Sequence, residues 1–338
     1  MSLVLNVLDQ SPVFAGQSPA DAVRNTVRLA CEVERLGYHR FWVSEHHGAH
    51  AFASASPEIV TARVAAATTR LRVGAGGVLL RYYSPLKVAE QFHVLEAMFP
   101  GRIDLGIGRT TGAAPRAALA LMTKGGHGRR SSAPEFAEQV DALLAYLADG
   151  VFEHVDAVPR VPSSPQPWIL GTSPESARFA AARGLPYAFG AFIPSRNMDE
   201  TLAVYKSEFV PSKWLKEPYV NVALFVLCAE TEERAFELAS PAEAWFIQGL
   251  SRMNNIPFPT VDEAMAARKS GYGGCSELES QELTARRNAV VVGNQAQVAA
   301  RLQALTADGL VQELTLVTNT ESFEDRIASY RLIAEALP

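Results

Sequence analysis

The stretch FWVSEHHGAH, residues 41–50, sets Glu45, His46, His47 and His50 directly behind an apolar run. A carboxylate and imidazoles this close together can ligate a metal, move protons near neutral pH, or bond to backbone and water in a turn. A metal needs further ligands from other segments. The remaining histidines, His39, His93, His127 and His154, fall before this run, within a helical stretch, in a loop and in a connection. None lies at the exit of a fifth, sixth or eighth strand, so a metal-dependent hydrolase lacks its ligand set. Proton chemistry at Glu45, His46 and His47 and a solvated turn both stay open.

Two further segments carry chemistry. LRVGAGGVLL, residues 71–80, holds Gly74, Gly76 and Gly77 inside a strand-like run. Glycine weakens a strand and marks a bulge or a close approach by a ligand or another backbone; a flat, bulky group against this wall would explain it. RIDLGIGRTTG ends in Arg109 beside Gly106 and Gly108, and LGTSPESARFAAARG offers Thr172, Ser173 and Pro174 at a helix start. Ser suits the N-cap and Pro the first helical position. The free N–H groups of such a start attract anions, and a neighbouring Arg can add a bidentate contact. Together these segments form a candidate phosphate pocket, although in barrel folds such pockets more often follow strands seven and eight.

What must position these groups is legible in the alternation along the chain. Strand-like runs occur at 3–8, 40–43, 71–80, 103–107, 168–170, 187–192, 220–228 and 313–318. Between them, helical periodicity appears at 20–36, 57–68, 85–98, 134–147, 175–183 and 232–250. Continuously apolar strands suit a parallel sheet buried on both faces. Eight strand–helix units predict a single α/β domain over residues 1–338, a (β/α)8 TIM barrel with insertion loops at its C-terminal face. Residues 110–132 and 254–287 break the pattern. The second reads as an irregular insertion, an expected mobile lid over the active face.

Composition excludes several classes. The chain has 338 residues, 48% of them apolar, and a net charge of −5 without a basic run, which argues against a nucleic-acid partner. No apolar stretch reaches membrane-spanning length, and the start MSLVLNVLDQSP lacks the features of a signal peptide. Three scattered cysteines, Cys31, Cys228 and Cys275, form no disulfide framework and favour a reducing, cytoplasmic setting.

With SEHH, VGAGGVLL, SPLKVAEQFHVLEAMFPGRIDLGIGR, LGTSPESARFAAARGLP and VVVGNQAQVAARL on the page, the chain resembles the luciferase-like monooxygenases, the flavin-dependent family that includes bacterial luciferase. The likeness spans nearly the whole chain and is strongest over 3–109. It implies FMN at the C-terminal face of the barrel, reduced by a separate flavin reductase. With O2, a C4a-hydroperoxide would then oxygenate a small organic substrate. By position, Gly76 and Gly77 match a frequent non-prolyl cis peptide against the flavin ring, and Arg109, Thr172, Ser173 and Ser176 match the phosphate-holding residues. His46 matches the acid–base histidine, with Glu45 or His47 expected to orient it. Asp9, Gln10, Ala191 and Phe192 would face the ring or the substrate. Gly108 stands where bacterial luciferase has a reactive cysteine, so light emission and an aldehyde substrate are not implied. Phe14, Phe52, Tyr82 and Phe192 are expected to shape an apolar pocket. The resemblance also implies a homodimer through helix 57–68, whose Ala62, Ala65, Ala66 and Ala67 permit close approach. A deazaflavin-dependent oxidoreductase and a non-catalytic flavin-binding subunit are the rival readings.

Overall fold

The computed structural model describes residues 3–109, 114–122, 133–193, 197–252, 256–273 and, from 281 to 337, all but 282, 285, 286 and 288. Eight strands form its centre: β1 Val4–Asp9, β2 Arg40–Val43, β3 Arg72–Leu79, β4 Ile103–Gly108, β5 Gln166–Gly171, β6 Tyr187–Gly190, β7 Val220–Ala229 and β8 Glu313–Val317. Each pairs in parallel with the next, and β8 closes onto both β7 and β1. All eight expected strands are present, and the architecture is the expected (β/α)8 barrel. The segment VVGN, Val291–Asn294, adds a short parallel strand along the far half of β7, where Val291 pairs with Val226. A small antiparallel hairpin spans 151–156.

Eleven helices surround the strands among the described residues: α1 Pro19–Arg35, α2 Pro57–Ala67, α3 Pro85–Met98, α4 Pro115–Met122, α5 Ala133–Asp149, α6 Pro174–Ala182, α7 Met198–Ser207, α8 Glu232–Arg252, α9 Val261–Lys269, α10 Gln295–Thr306 and α11 Phe323–Ala336. Four of them, α1, α2, α3 and α6, begin with Ser-Pro, the proline at the first helical turn. Its missing N–H costs nothing there and its φ is already helical. The main core lies between strands and helices, with Phe41, Phe92, Leu143, Tyr187 and Tyr330 among its large buried members.

Residues 254–287 are more regular than expected, with a helix at Val261–Lys269. Thr260 and Glu263 form a reciprocal capping box that starts α9. The local signal was the T-x-x-E spacing, which the short, weakly amphipathic helix behind it obscured. Phe258 is buried, exchanges backbone bonds with Val13 and Ala15, and stacks on Phe14. Residues 274–280 of the expected lid, and 110–113 and 123–132 of the earlier insertion, lie outside the described residues.

The lower half of the barrel is filled by a charge network. Arg40 reaches Asp104 at 2.7 Å and Glu313 at 2.8 Å, and Arg72 reaches Asp104 at 2.6 Å. Asn6 and Tyr219 also donate to Glu313, at 2.8 and 2.7 Å, and the Trp42 indole donates to Asp104 at 3.0 Å. Two arginines balance two carboxylates, with Arg40, Asp104 and Glu313 buried and Arg72 reaching the network from a partly exposed position; paired in this way, buried charges persist. Burial opposes ionisation of Asp104, but Arg40 and Arg72 outweigh it and hold the carboxyl below its ordinary range.

Candidate active site

The C-terminal strand ends enclose about 860 Å³ of space, open mouth included, lined among others by Leu8, Gln10, Trp42, Glu45, His46, Gly76, Gly77, Thr172 and Phe192. Trp42, held from below by Asp104, forms part of its floor. The cavity therefore sits directly on the charge network.

One wall is bare backbone. β3 pairs with β4 up to Ala75 and again from Val78, and Gly76 and Gly77, joined by a cis peptide, occupy the gap. A Cβ on Gly77 would lie 2.6 Å from the Gly106 carbonyl oxygen, and one on Gly76 would lie 2.9 Å from the Trp42 ring. Only glycine fits this close packing of strand on strand. Gly108, Gly171 and Gly190 extend the wall around the cavity.

Glu45 leaves β2 with its side chain wholly buried. Its carboxylate accepts from Tyr83 Oη and bonds His47 Nε2, both at 2.6 Å, and accepts from the Leu79 N–H at 2.8 Å. Glu45 thus ties the end of β2 to the end of β3. Nearby, burial first and then the charge of Glu45 push the Tyr83 phenol far above its ordinary value, so it serves as a donor. This departs from the expectation that Glu45 or His47 orients His46: the two bond each other, Glu45 also bonds Tyr83 and the end of β3, and neither has a side-chain hydrogen bond to His46 among the described residues.

His46 is oriented by residues that sequence reasoning missed. Its Nδ1 lies 3.0 Å from Ser44 Oγ and 3.4 Å from Ser54 Oγ, its backbone N–H donates to the Ser54 carbonyl at 2.8 Å, and its ring stacks on Phe52 with centroids 4.4 Å apart. Nε2 bonds no described residue. Burial, and then the proximity of His47, push the imidazole down to about 4, so His46 is neutral at physiological pH. Its folded value is below its unfolded one, so the unfolded chain binds the extra proton. This group's contribution to stability is therefore full above about pH 6.5 and falls as pH drops towards 4. A histidine NMR titration should find His46 still neutral at pH 5; a midpoint near 6.5 would reject the lowered value.

The other expected residues divide. Gln10 lines the cavity, its Oε1 accepting from Asn319 at 2.9 Å. Asp9 does not: it is fully buried, paired with Arg326 and accepting from the Ser11 N–H. A carboxylate at the close of a barrel strand needs a cation when water is absent, and the Arg of α11 draws it outward. Thr172 lines the cavity, whereas Ser173 caps α6 and Ser176 bonds Tyr187 Oη at 2.8 Å and the Ser173 carbonyl at 2.7 Å. Arg109, exposed just past Gly108, forms no ion pair with a described residue.

Phe192 lines the cavity, while Ala191 packs on the main core. Phe52 backs His46, but Phe14 is buried behind it against Phe258, and Tyr82 packs with Leu79 and Ala118. Trp245 of α8 completes the aromatic wall, edge-on to Phe52 at 5.4 Å. Among the described residues no group of three or more His, Cys, Asp or Glu side chains is arranged to hold a metal, and no helix is long and apolar enough to cross a membrane.

Comparison with known proteins gives this site its context. Residues 1–313 match the family model described as luciferase-like monooxygenase. The uncharacterized protein YwcH of Bacillus subtilis is 42% identical over 337 residues, 98% of each chain. A luciferase-like monooxygenase of Escherichia coli is 31% identical over 98% of this chain and 96% of its own. Among solved structures, apo-MsnO8 superposes with a TM-score of 0.88 at 34% identity, covering 100% of this chain and 99% of that one. With the family pattern running through every strand that builds the cavity, the chain belongs to the luciferase-like monooxygenases.

Proposed function

We propose that this enzyme uses reduced FMN, supplied by a separate flavin reductase, and O2 to oxygenate a small apolar organic substrate. The observation that carries the reading is the cavity itself: a glycine wall, His46 and Trp42 line one space, with Arg109 following the lining Gly108 and the α6 start following the lining Thr172. The fit to FMN rests on this donor set and on the missing side chains. The Gly76–Gly77 wall would receive the flat ring system where any Cβ would clash. Arg109, Thr172 and the first turn of α6 would hold the phosphate through charge and free N–H groups. Bound reduced FMN supplies the electrons that turn O2 into an oxygen-atom donor. The chain's own part is to orient the substrate and exclude water: Leu8, Leu79, Leu170 and Phe192 dry the cavity, and His46 handles a proton through Nε2. Among the described lining residues Glu45 carries the one formal charge, and it is already met by three partners. That supports an uncharged substrate.

The test is rapid mixing. Protein loaded anaerobically with reduced FMN is mixed with oxygenated buffer and no substrate. Return of oxidised flavin much slower than for free FMN is expected. Return at the free rate, or selective turnover of a deazaflavin without O2 uptake, rejects FMN monooxygenation. Arg109→Ala should weaken FMN about 10- to 100-fold, the worth of a charged hydrogen bond, and leave riboflavin binding unchanged. Equal losses for both would move the phosphate elsewhere.

The assembly proposed with this reading is a homodimer through α2 and α3. Ile59 and Met98 are 65% and 51% exposed on that face, beside Val94 and Val158. An apolar patch of this kind on a soluble chain marks an interface. Light scattering at micromolar concentration should give twice the chain mass for wild type and the single mass for Met98→Asp. A monomeric wild type overturns the dimer.

A further inference from the structure

We propose that Ser44 and Ser54 act as a positioning pair that fixes His46 as its Nε2–H tautomer, making it the hydrogen-bond donor of the cavity. The geometry is a closed triangle. Ser44 Oγ lies 3.0 Å from His46 Nδ1 and 3.0 Å from Ser54 Oγ, which is itself 3.4 Å from Nδ1. Ser54 is fully buried and Ser44 nearly so. Neither hydroxyl bonds any other described residue.

Hydrogens can then be counted. Each serine has one to donate, and a neutral imidazole has one nitrogen that donates and one that accepts. With Nδ1 as the acceptor, Ser54 donates to Ser44 Oγ, Ser44 donates to Nδ1, and both hydroxyl hydrogens are used. With the hydrogen on Nδ1, that N–H takes a serine oxygen and one serine donates to the other. The remaining hydroxyl hydrogen then has no acceptor among the described residues. Buried polar groups are rarely left in that state, so the Nε2–H form should dominate by about tenfold or more.

The scaffold around the pair is built to hold it. Ala53 N–H donates to the Ser11 carbonyl and Val13 N–H to the Ala51 carbonyl, which pins the 51–54 loop against the chain leaving β1. Phe52 covers one face of the imidazole. The pair ends at the fully buried Ser54, with Ser44 at the cavity lining, so it orients the ring and offers no proton path into the wall behind it. His46 therefore presents N–H, not a lone pair, to whatever lies in the cavity. Its low affinity for a second proton agrees with this neutral form.

The direct experiment is long-range 1H–15N NMR on flavin-free protein with 15N-labelled histidine at neutral pH, the His46 signals identified by their loss in His46→Gln. The expected pattern is a pyrrole-type, protonated Nε2 and a pyridine-type Nδ1. The reverse pattern, or an averaged mixture of comparable tautomers, overturns the proposal. In the Ser44→Ala/Ser54→Ala double variant the two nitrogen shifts should converge, and Ser44→Thr should keep the wild-type pattern because it keeps the hydroxyl. A double variant with the wild-type tautomer would remove the serines' part. For turnover, which rests on the monooxygenase reading, the double variant should lose about tenfold or more in kcat at unchanged KM; unchanged kcat rejects the positioning role. Failure of the flavin reading is distinguishable: wild-type protein would neither bind FMN nor turn over, while the tautomer, measured without flavin, stays as expected.

Discussion

His46→Ala should lower turnover by about 10²- to 10⁴-fold, the usual contribution of a positioned proton-transfer group, while FMN affinity changes by less than about threefold. The separation follows from the geometry. The proposed ring wall is Gly76 and Gly77 on β3, and the proposed phosphate contacts come from the end of β4 and the start of α6. His46 comes from the end of the neighbouring strand β2, held by Ser44, Ser54 and Phe52. Removing the imidazole leaves those supports in place and takes away one group that faces the cavity. His46→Gln, which retains an N–H donor near Nε2 but cannot titrate, should fall between wild type and alanine. Flavin titration and steady-state kinetics on the three proteins make the comparison. A parallel loss of binding and turnover, or no loss in either, would show that His46 has a different role.

Asp104→Ala should destabilise the fold by about 3–5 kcal/mol, as removal of one partner from a buried ion pair does. Asp104 accepts from Arg40 at 2.7 Å, from Arg72 at 2.6 Å and from Trp42 at 3.0 Å, and its own side chain is fully buried. Alanine leaves Arg40 leaning on Glu313 alone and Arg72 with only backbone carbonyls. Asp104→Asn keeps the shape and should cost less. Urea unfolding at neutral pH measures both, and a shift below about 1 kcal/mol for alanine would contradict the burial argument. The same group gives an acid-side signature. Its folded pKa is depressed, so its stabilisation is complete above the ordinary carboxylate range and is lost as pH falls through the folded value. Because Trp42 is both a partner of Asp104 and the cavity floor, the alanine variant should also bind flavin less well.

The two residues show how far local sequence reaches. Glu45, His46 and His47 announce themselves because they are adjacent and follow an apolar strand, and the Gly76–Gly77 wall because glycine is conspicuous inside a buried run. Asp104 does neither. RIDLGIG reads as an apolar strand with one acidic interruption, and its partners Arg40 and Arg72 lie 64 and 32 residues away. The same limit explains Asp9. It was expected to face the cavity from the end of β1, but its partner Arg326 is 317 residues distant, and no spacing rule connects them. Ser54 and Phe258 are illegible in the sequence for a related reason. A serine in a loop and a phenylalanine in an irregular segment carry no pattern until the chain brings them to His46 and Phe14.

By itself the sequence determined the eight strands, their order and six of the eleven helices named above. Those follow from hydrophobic period and from Gly, Pro and Ser at element boundaries, which act over a few residues. Tertiary structure alone decided which polar groups satisfy one another: Glu45 with Tyr83 and Leu79, Asp9 with Arg326, His46 with two buried serines. Closing a barrel removes water from the strand ends and interior. Each charge or hydroxyl enclosed there must then find a partner wherever the chain happens to pass.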